Sequence, residues 1–479
     1  MASSDYLIVR PEKARWLDLL HLLIFRPRLS ECEFIDMSVS HDAKLYDQPP
    51  FLMVISLVLQ KFLLLIEKPL QIFGHVVEFP FNLVFVNGGL FGLLLKIITF
   101  SVVIPKEGTE TWWTFLGLMD PRLDLTKSSS LITYLPQFGA IKTVFGVDLL
   151  ELMLMASKVA YENAAVVEYA VTKRWKMNFV GFYDCWNKFT KTYGTQAYIF
   201  TDTAKDASMI VVSFRGTAFW AAKDYVTDVD FSFLSMGKMG KVHIGLLKAL
   251  GLQDEKDYVK GWPKDYTGDA DKIPVYYVVR EQLRTLIQTH PNAKIIFTGH
   301  SMGAALSSIY PALLSLHEET DILDKTTGIL NNGRLRPGDE TFGNYMVDLL
   351  KGKYCLRVTY RYDIVVRVPF DNPFFQFKHF GKCIYYRSWY HGEVVMQEPN
   401  RNYFDLRYFP NMYYTQFKDF FTSLLILPIK EGKEYRETVP SLIYRAIGFA
   451  IPGVPCHSPR DYLNAIKLGK VTISDEEIV

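Results

Sequence analysis

From Phe51 to Ile104 the chain is apolar almost without interruption, and its firm charges there are Lys61, Glu67, Lys68, Glu78 and Lys96. The pattern reads as two pieces, Phe51–Lys68 and Phe81–Ile104, separated by a connector LQIFGHVVEF that Pro69 and Pro80 flank. Asn87-Gly88-Gly89 interrupts the second piece, because helix breakers in tandem end a helix. A helix that spans a membrane needs about 20 uninterrupted apolar residues, and neither piece supplies them. The pattern therefore predicts a hairpin or an interfacial pair of helices. Such elements can lie in one leaflet, or in the single phospholipid layer over an oil droplet, which has no aqueous far side. The competing assignment is a pair of buried core helices. Upstream, Trp16–Phe25 is short and carries Asp18 and His21, so it reads as an amphipathic helix.

After Pro105 the texture changes. Leu149–Tyr169 has helical periodicity, and so does Tyr277–Thr289. Ser208–Phe214, Lys294–Thr298, Leu356–Tyr360 and Cys383–Arg387 are short β-branched runs. Strands alternating with helices predict an α/β fold around a mostly parallel central sheet. The organisation expected is an amphipathic and apolar region over 1–150, associated with a membrane or lipid droplet, and an α/β domain over 151–479.

Composition narrows the function classes. With 49% hydrophobic and 22% charged residues among 479, the chain is not mainly disordered. Its net charge of +2 gives no electrostatic footprint for nucleic acid. Aromatic residues make up 15%, enough for a core with apolar surface to spare. The five cysteines (Cys32, Cys185, Cys355, Cys383, Cys456) are odd in number and widely spaced. They form no metal-ligand pattern and point to a reducing compartment. The sequence MASSDYLIVRPEKARW lacks the order of basic, apolar and small residues of a signal peptide.

The sharpest chemical motif is Gly299-His300-Ser301-Met302-Gly303. As a pentapeptide it is a weak signal. Its context is strong, since KIIFT leads in as a strand and AALSSIYPALL leads out as a helix, the order a nucleophile elbow requires. A serine there needs a base to take its proton. In an α/β-hydrolase the acid and the histidine follow the serine in sequence. Asp363 follows the LRVTYRY strand and so faces the rim on which the elbow sits; Asp371, in the PFDNP turn, is its rival. His379, His391 and His457 all follow, and spacing alone does not choose among them. The oxyanion needs two backbone N–H groups. One is that of Met302; the other falls in VVSFRGT, where Gly216 lets the chain turn and Thr217 can add its hydroxyl.

FRGT, GHSMG, YDIVVRVP and IPGVPCH, in this order, resemble the class 3 (fungal-type) triacylglycerol lipases over about Val211–Leu463. The resemblance implies an α/β-hydrolase fold with a lid over Ala218–Phe233, an oxyanion turn at Arg215-Gly216-Thr217, and a triad of Ser301, Asp363 and His457. The sequence departs from the family at Tyr362, where a polar residue is usual, and at Ser458, where fungal members are apolar. The stretch between acid and histidine is long, which implies an insertion near 384–450. The whole chain, apolar region included, resembles the plant oil body lipases. That implies hydrolysis of stored triacylglycerol on the cytosolic surface of a lipid droplet, through an acyl-enzyme and with no metal or organic cofactor. The alternatives are a phospholipase A1 or galactolipase using the same triad, and a catalytically dead droplet coat protein.

Overall fold

The structure is a computed structural model that describes residues 5–38, 51–126, 149–371, 374 and 376–472. Its strands are β1 (Tyr6–Val9), β2 (Ile35–Ser38), β3 (Asn178–Asn187), β4 (Thr192–Thr201), β5 (Met209–Phe214), β6 (Phe233–Ser235), β7 (Lys241–His243), β8 (Lys294–His300), β9 (Thr326–Asn332), β10 (Tyr354–Tyr360), β11 (Lys382–Tyr386), β12 (His391–Val395) and β13 (Lys470–Thr472). The helices that matter below are α1 (Trp16–Phe25), α2 (Phe51–Val86), α3 (Gly89–Ile98), α4 (Phe115–Met119), α5 (Leu149–Val159), α6 (Ala222–Val229), α7 (Val275–Thr289), α8 (Met302–Leu316), α9 (Phe409–Phe421), α10 (Val439–Ile447) and α11 (Pro459–Leu468).

Among the described residues the main sheet has nine strands in the order β13-β12-β11-β10-β9-β8-β5-β4-β3. The block β5-β8-β9-β10-β11 is parallel throughout. The sheet is thus the mostly parallel one that the alternating pattern predicts. Every residue of β5 is buried, as expected of a strand covered on both faces. Successive side chains point to opposite faces, and this builds two cores. Ile210, Val212, Phe214, Ile295 and Phe297 pack against α7 and α8 on one side. Met209, Val211, Ile296, Leu330 and Val358 pack against α5 and α11 on the other. Leu149–Tyr169 is two helices and not one, since Asn163 accepts from the N–H groups of Ala165 and Val166 and starts a second helix at Ala164.

A second, four-stranded sheet joins the N-terminal segment to the middle of the chain, in the order β2-β1-β6-β7. The apolar segment differs from the expected two pieces and connector. α2 runs unbroken from Phe51 to Val86 with Pro69 and Pro80 inside it. An internal proline costs a helix about 3 kcal/mol. Packing of one face offsets this, because Met53, Val54, Leu57, Gly74, Glu78 and Asn82 are all buried. The expected break after Val86 is present. Gly88 and Gly89 take φ of 84° and 85°, and α3 leaves at 76° to α2. No described single helix is long and apolar enough to cross a membrane, while the bent pair α2–α3 passes by length and composition. The pair is neither wholly core nor wholly free: α3 buries no residue, and Phe62, Leu65, Ile72, Phe73 and Val76 of α2 are exposed. α1 is amphipathic as expected, with Leu19 and Leu22 buried and Leu17 and Phe25 exposed.

Residues 384–450 are fastened to the domain. β12 continues the sheet antiparallel to β11. Arg445 of α10 bonds Asp461 of α11 (Nη1–Oδ2 2.9 Å). Glu398 receives Arg357 from β10 at 2.7 Å, with both side chains almost wholly buried. Burial by itself raises the Glu398 carboxyl, but Arg357 and His379 outweigh it and hold it well below the usual carboxylate range. Removing one partner of such a pair leaves a buried, uncompensated charge. Glu398→Ala should therefore cost about 3–5 kcal/mol of unfolding free energy, read by urea denaturation.

Candidate active site

Ser301 sits between β8 and α8 with φ 61° and ψ −131°. A non-glycine residue held there is strained by about 1–3 kcal/mol. The strain is imposed by crowding. A Cβ on Gly299 would run into the carbonyl of Gly303, and one on Gly303 would run into the carbonyl oxygen of Phe214. The Ser301 N–H donates to the carbonyl of Asn332 at 3.1 Å. The turn thus has the elbow geometry that the sequence predicts, with the N-terminus of α8 directly behind it. The first N–H groups of a helix have no intrahelical acceptor, and that of Met302 is among them.

Asp363 lies just past the end of β10, fully buried. Its Oδ2 takes His457 Nδ1 at 2.7 Å and the Tyr462 hydroxyl at 2.6 Å. Its Oδ1 takes the Val365 N–H at 2.8 Å. All three partners are donors, and the one at His457 sets the imidazole with its proton on Nδ1 and Nε2 on the far side. The histidine is carried on a short turn, Pro455–His457, ahead of α11, whose N-cap is Ser458. The His457 ring lies on that of His300, the residue before Ser301, with centroids 4.4 Å apart.

The other candidates are elsewhere. His379 is buried, with Nε2 at 2.8 Å from the Val366 carbonyl and 3.3 Å from Glu398. His391 is an exposed residue of β12. Asp371 is paired with Lys378 at 2.6 Å and Arg401 at 3.1 Å.

The turn after β5 comes close to the elbow, since a Cβ on Gly216 would stand 2.6 Å from the His300 carbonyl oxygen. Next to it Thr217 donates its hydroxyl to Asp228 Oδ2 at 2.8 Å. Asp228 was not foreseen from the sequence, where it is one acidic residue of an amphipathic stretch. Burial pushes its carboxyl up to about 7, against the Thr217 hydrogen bond and the nearby His457. Tyr161 was also missed. Its hydroxyl is 2.8 Å from His300 Nδ1. Burial, and then the charge of His457, push His300 well below the usual histidine range. In sequence Tyr161 was only a core position of a periodic helix.

The stretch expected as a lid, Ala218–Phe233, contains the short helix α6. It does not present a bare face to solvent, because α2 lies along it. Phe219 stacks on Phe115 of α4 at 4.7 Å and meets Tyr444 of α10 at 5.8 Å. Trp220 donates its indole N–H to Glu78 of α2 at 2.9 Å. Phe231 and Phe233 are buried with the N-terminal strands. A cavity of 360 Å³ lies between α2 and the turn after β5, lined among others by Gln71, His75, Glu78, Tyr161 and Ala218. Among the described residues no group of His, Cys, Asp or Glu side chains is arranged to hold a metal ion.

Residues 211–372 match the family model described as Lipase (class 3). A triacylglycerol lipase OBL1 from Nicotiana tabacum is 38% identical over 475 residues, covering 87% of this chain and 83% of its own. A triacylglycerol lipase OBL1 from Arabidopsis thaliana is 36% identical over 495 residues, covering 97% of this chain and 95% of its own. Among solved structures, a native Rhizomucor miehei lipase propeptide complex aligns with 50% of this chain and 67% of its own at 19% identity, with a TM-score of 0.37. Identity at the level of the two plant relatives, sustained along most of both chains, makes this protein a member of the class 3 lipase family, in the group of the plant triacylglycerol lipases OBL1, and a serine carboxylic-ester hydrolase.

Proposed function

We propose that Ser301, Asp363 and His457 hydrolyse triacylglycerol at the surface of a lipid droplet, from its cytosolic side. The observation that carries the catalytic reading is the 2.7 Å bond between His457 Nδ1 and Asp363 Oδ2, formed across 94 residues of chain, with the imidazole laid on the residue before Ser301. His457 Nε2 takes the hydroxyl proton as Ser301 attacks the ester carbonyl. Asp363 keeps the ring in the productive tautomer and stabilises the imidazolium. The N–H groups of Thr217 and Met302 hold the oxyanion, each worth about 2.7–4 kcal/mol in the transition state. His457 returns the proton to the departing diacylglycerol oxygen. A water molecule, deprotonated by the same Nε2, then releases the fatty acid from the acyl-enzyme.

The apolar outer faces of α2 and α3 support the location. Phe91 is 75% and Ile98 72% exposed, and Phe100 is 97% exposed beyond the end of α3. The five cysteines are free thiols, which fits the cytosolic side.

Hydrolysis of emulsified triolein by the purified protein tests the reading. Ser301→Ala should lower it at least about a thousandfold, and Asp363→Asn about ten-thousandfold. Equal rates for wild type and Ser301→Ala would remove the triad and leave the coat protein. Fast turnover of phosphatidylcholine or galactolipid with negligible triolein turnover would transfer the same triad to polar lipids.

For location, deleting α2 would unfold the N-terminal core that Met53 and Leu57 enter, so the outer face is the better target. Replacing Leu90, Phe91, Leu94 and Ile98 together by serine should abolish flotation with phospholipid-coated triolein droplets. Each such side chain is worth about 1.5–3 kcal/mol when fully buried in lipid. Unchanged flotation would place the contact elsewhere.

Asp228 gives a pH signature. Its folded-state pKa is raised above the unfolded value, so its contribution to stability is full in acid and is lost as pH rises through about 7. Between pH 4 and pH 8 the wild type should lose stability relative to Asp228→Asn, by up to about 4 kcal/mol. Urea unfolding of both proteins across this range measures the difference.

A further inference from the structure

The oxyanion turn is held from two sides. Asp228 reaches it from α6 through the Thr217 hydroxyl. The second hold comes from the apolar N-terminal helix. One oxygen of Glu78, Oε1, accepts the Trp220 indole N–H at 2.9 Å and the Phe115 backbone N–H at 2.7 Å. It therefore joins α2, the start of α4, and the segment three residues beyond Thr217. The fit around this bond is close. Gly74 stands one helical turn before Glu78, on the same face of α2. A Cβ there would run into the Trp220 ring, so the absence of a side chain makes the notch that admits the indole. Phe73 meets the same ring edge-on at 5.7 Å, and Phe115 meets it at 5.3 Å. Two further contacts tie α2 to α6: Ser56 donates its hydroxyl to the Val229 carbonyl, and Lys223 lies 3.7 Å from Glu67.

We propose that Glu78 is a positioning residue for the hydrolysis, fixing the oxyanion turn through Trp220 and so coupling the catalytic turn to the helix whose outer face meets lipid. The inference rests on the oxyanion role proposed above for Thr217. Free energy of coupling between two sites is reciprocal. A surface that shifts α2 shifts Trp220, and a substrate that orders the turn tightens α2.

The test separates positioning from mere stabilisation, and uses a soluble ester, p-nitrophenyl butyrate, so that adsorption to lipid plays no part. Trp220→Phe keeps an aromatic ring, though a smaller one, and deletes the N–H. Glu78→Ala deletes the acceptor, and Glu78→Gln keeps a carbonyl oxygen able to accept both bonds. Trp220→Phe and Glu78→Ala should each lower kcat about tenfold or more with KM nearly unchanged, because a turn displaced by a fraction of an ångström loses its aim at the transition state. Glu78→Gln should restore most of that loss. The double variant Glu78→Ala with Trp220→Phe should be no worse than the poorer single variant, since Glu78→Ala already removes the bond that Trp220→Phe deletes.

A wild-type kcat in Trp220→Phe would overturn the proposal, as would a Glu78→Gln as slow as Glu78→Ala, or losses that multiply in the double variant. Should Glu78→Ala fail to fold, Trp220→Phe and Glu78→Gln still decide the matter. Failure of the triad itself is seen separately, as activity retained by Ser301→Ala on the same ester.

Discussion

The structure depends on a constraint of space at one turn. Where β8 passes into α8 the backbone comes so near to itself and to the end of β5 that positions 299 and 303 exclude any Cβ. That crowding forces Ser301 to φ 61°, a conformation a serine adopts only when its surroundings over-determine it. The surroundings are the parallel register β5-β8-β9 and the α8 helix, in which Ala304, Ala305, Leu306 and Ile309 are buried without remainder. Strain at the hydroxyl is thus held by the packing of two cores, one on each side of the sheet. The same register puts the ends of β5, β8 and β10 on one rim, where Thr217, Ser301 and Asp363 are found.

A second theme is the burial of carboxyl groups around the turn after β5. Burial pushes Asp228 and Glu162 up to about 7 and raises Glu78. Each is held by hydrogen-bond donors more than by a cation: the Thr217 hydroxyl for Asp228, the N–H and hydroxyl of Thr114 for Glu162, and the N–H groups of Phe115 and Trp220 for Glu78. A carboxyl kept near neutrality costs less to bury than an anion, and still offers oxygen acceptors at fixed places. Asp363 is treated differently. It lies among three donors, one of them the imidazole of His457. It meets a side chain brought from 94 residues away, while the others act as fixed points for backbone and indole.

The N-terminal region belongs to this economy of contacts. One face of α2 enters a core with β1, β2 and Phe231, and the other remains apolar and open. A helix with two apolar faces, one against protein and one uncovered among the described residues, links whatever covers the second face to whatever packs on the first. Here the first face carries Gly74 and Glu78, and with them Trp220.

Much of this was legible in the sequence. The β-branched runs at 208–214, 294–298 and 356–360 located the central strands, because strands buried on both faces read as near-continuous apolar runs. The spacing of glycines about Ser301 marked the elbow, since only that turn demands small residues on both sides. Asp363 was a candidate from its place after a strand. The residues alone left three histidines, and the choice fell to His457 by resemblance; the fold brings it to Asp363 because α11 packs across the end of β10. Other features needed the tertiary structure. Pro69 and Pro80 read as breaks, yet α2 continues through them, since a buried face outweighs the local cost of a missing N–H. Asp228, Tyr161 and Glu78 carried no signal at all. Local sequence determined which segments are strand, helix and elbow, because those follow from the steric and hydrophobic pattern of neighbours. Only the folded chain decided which distant polar groups meet, because a buried donor and acceptor find each other through the packing of whole elements.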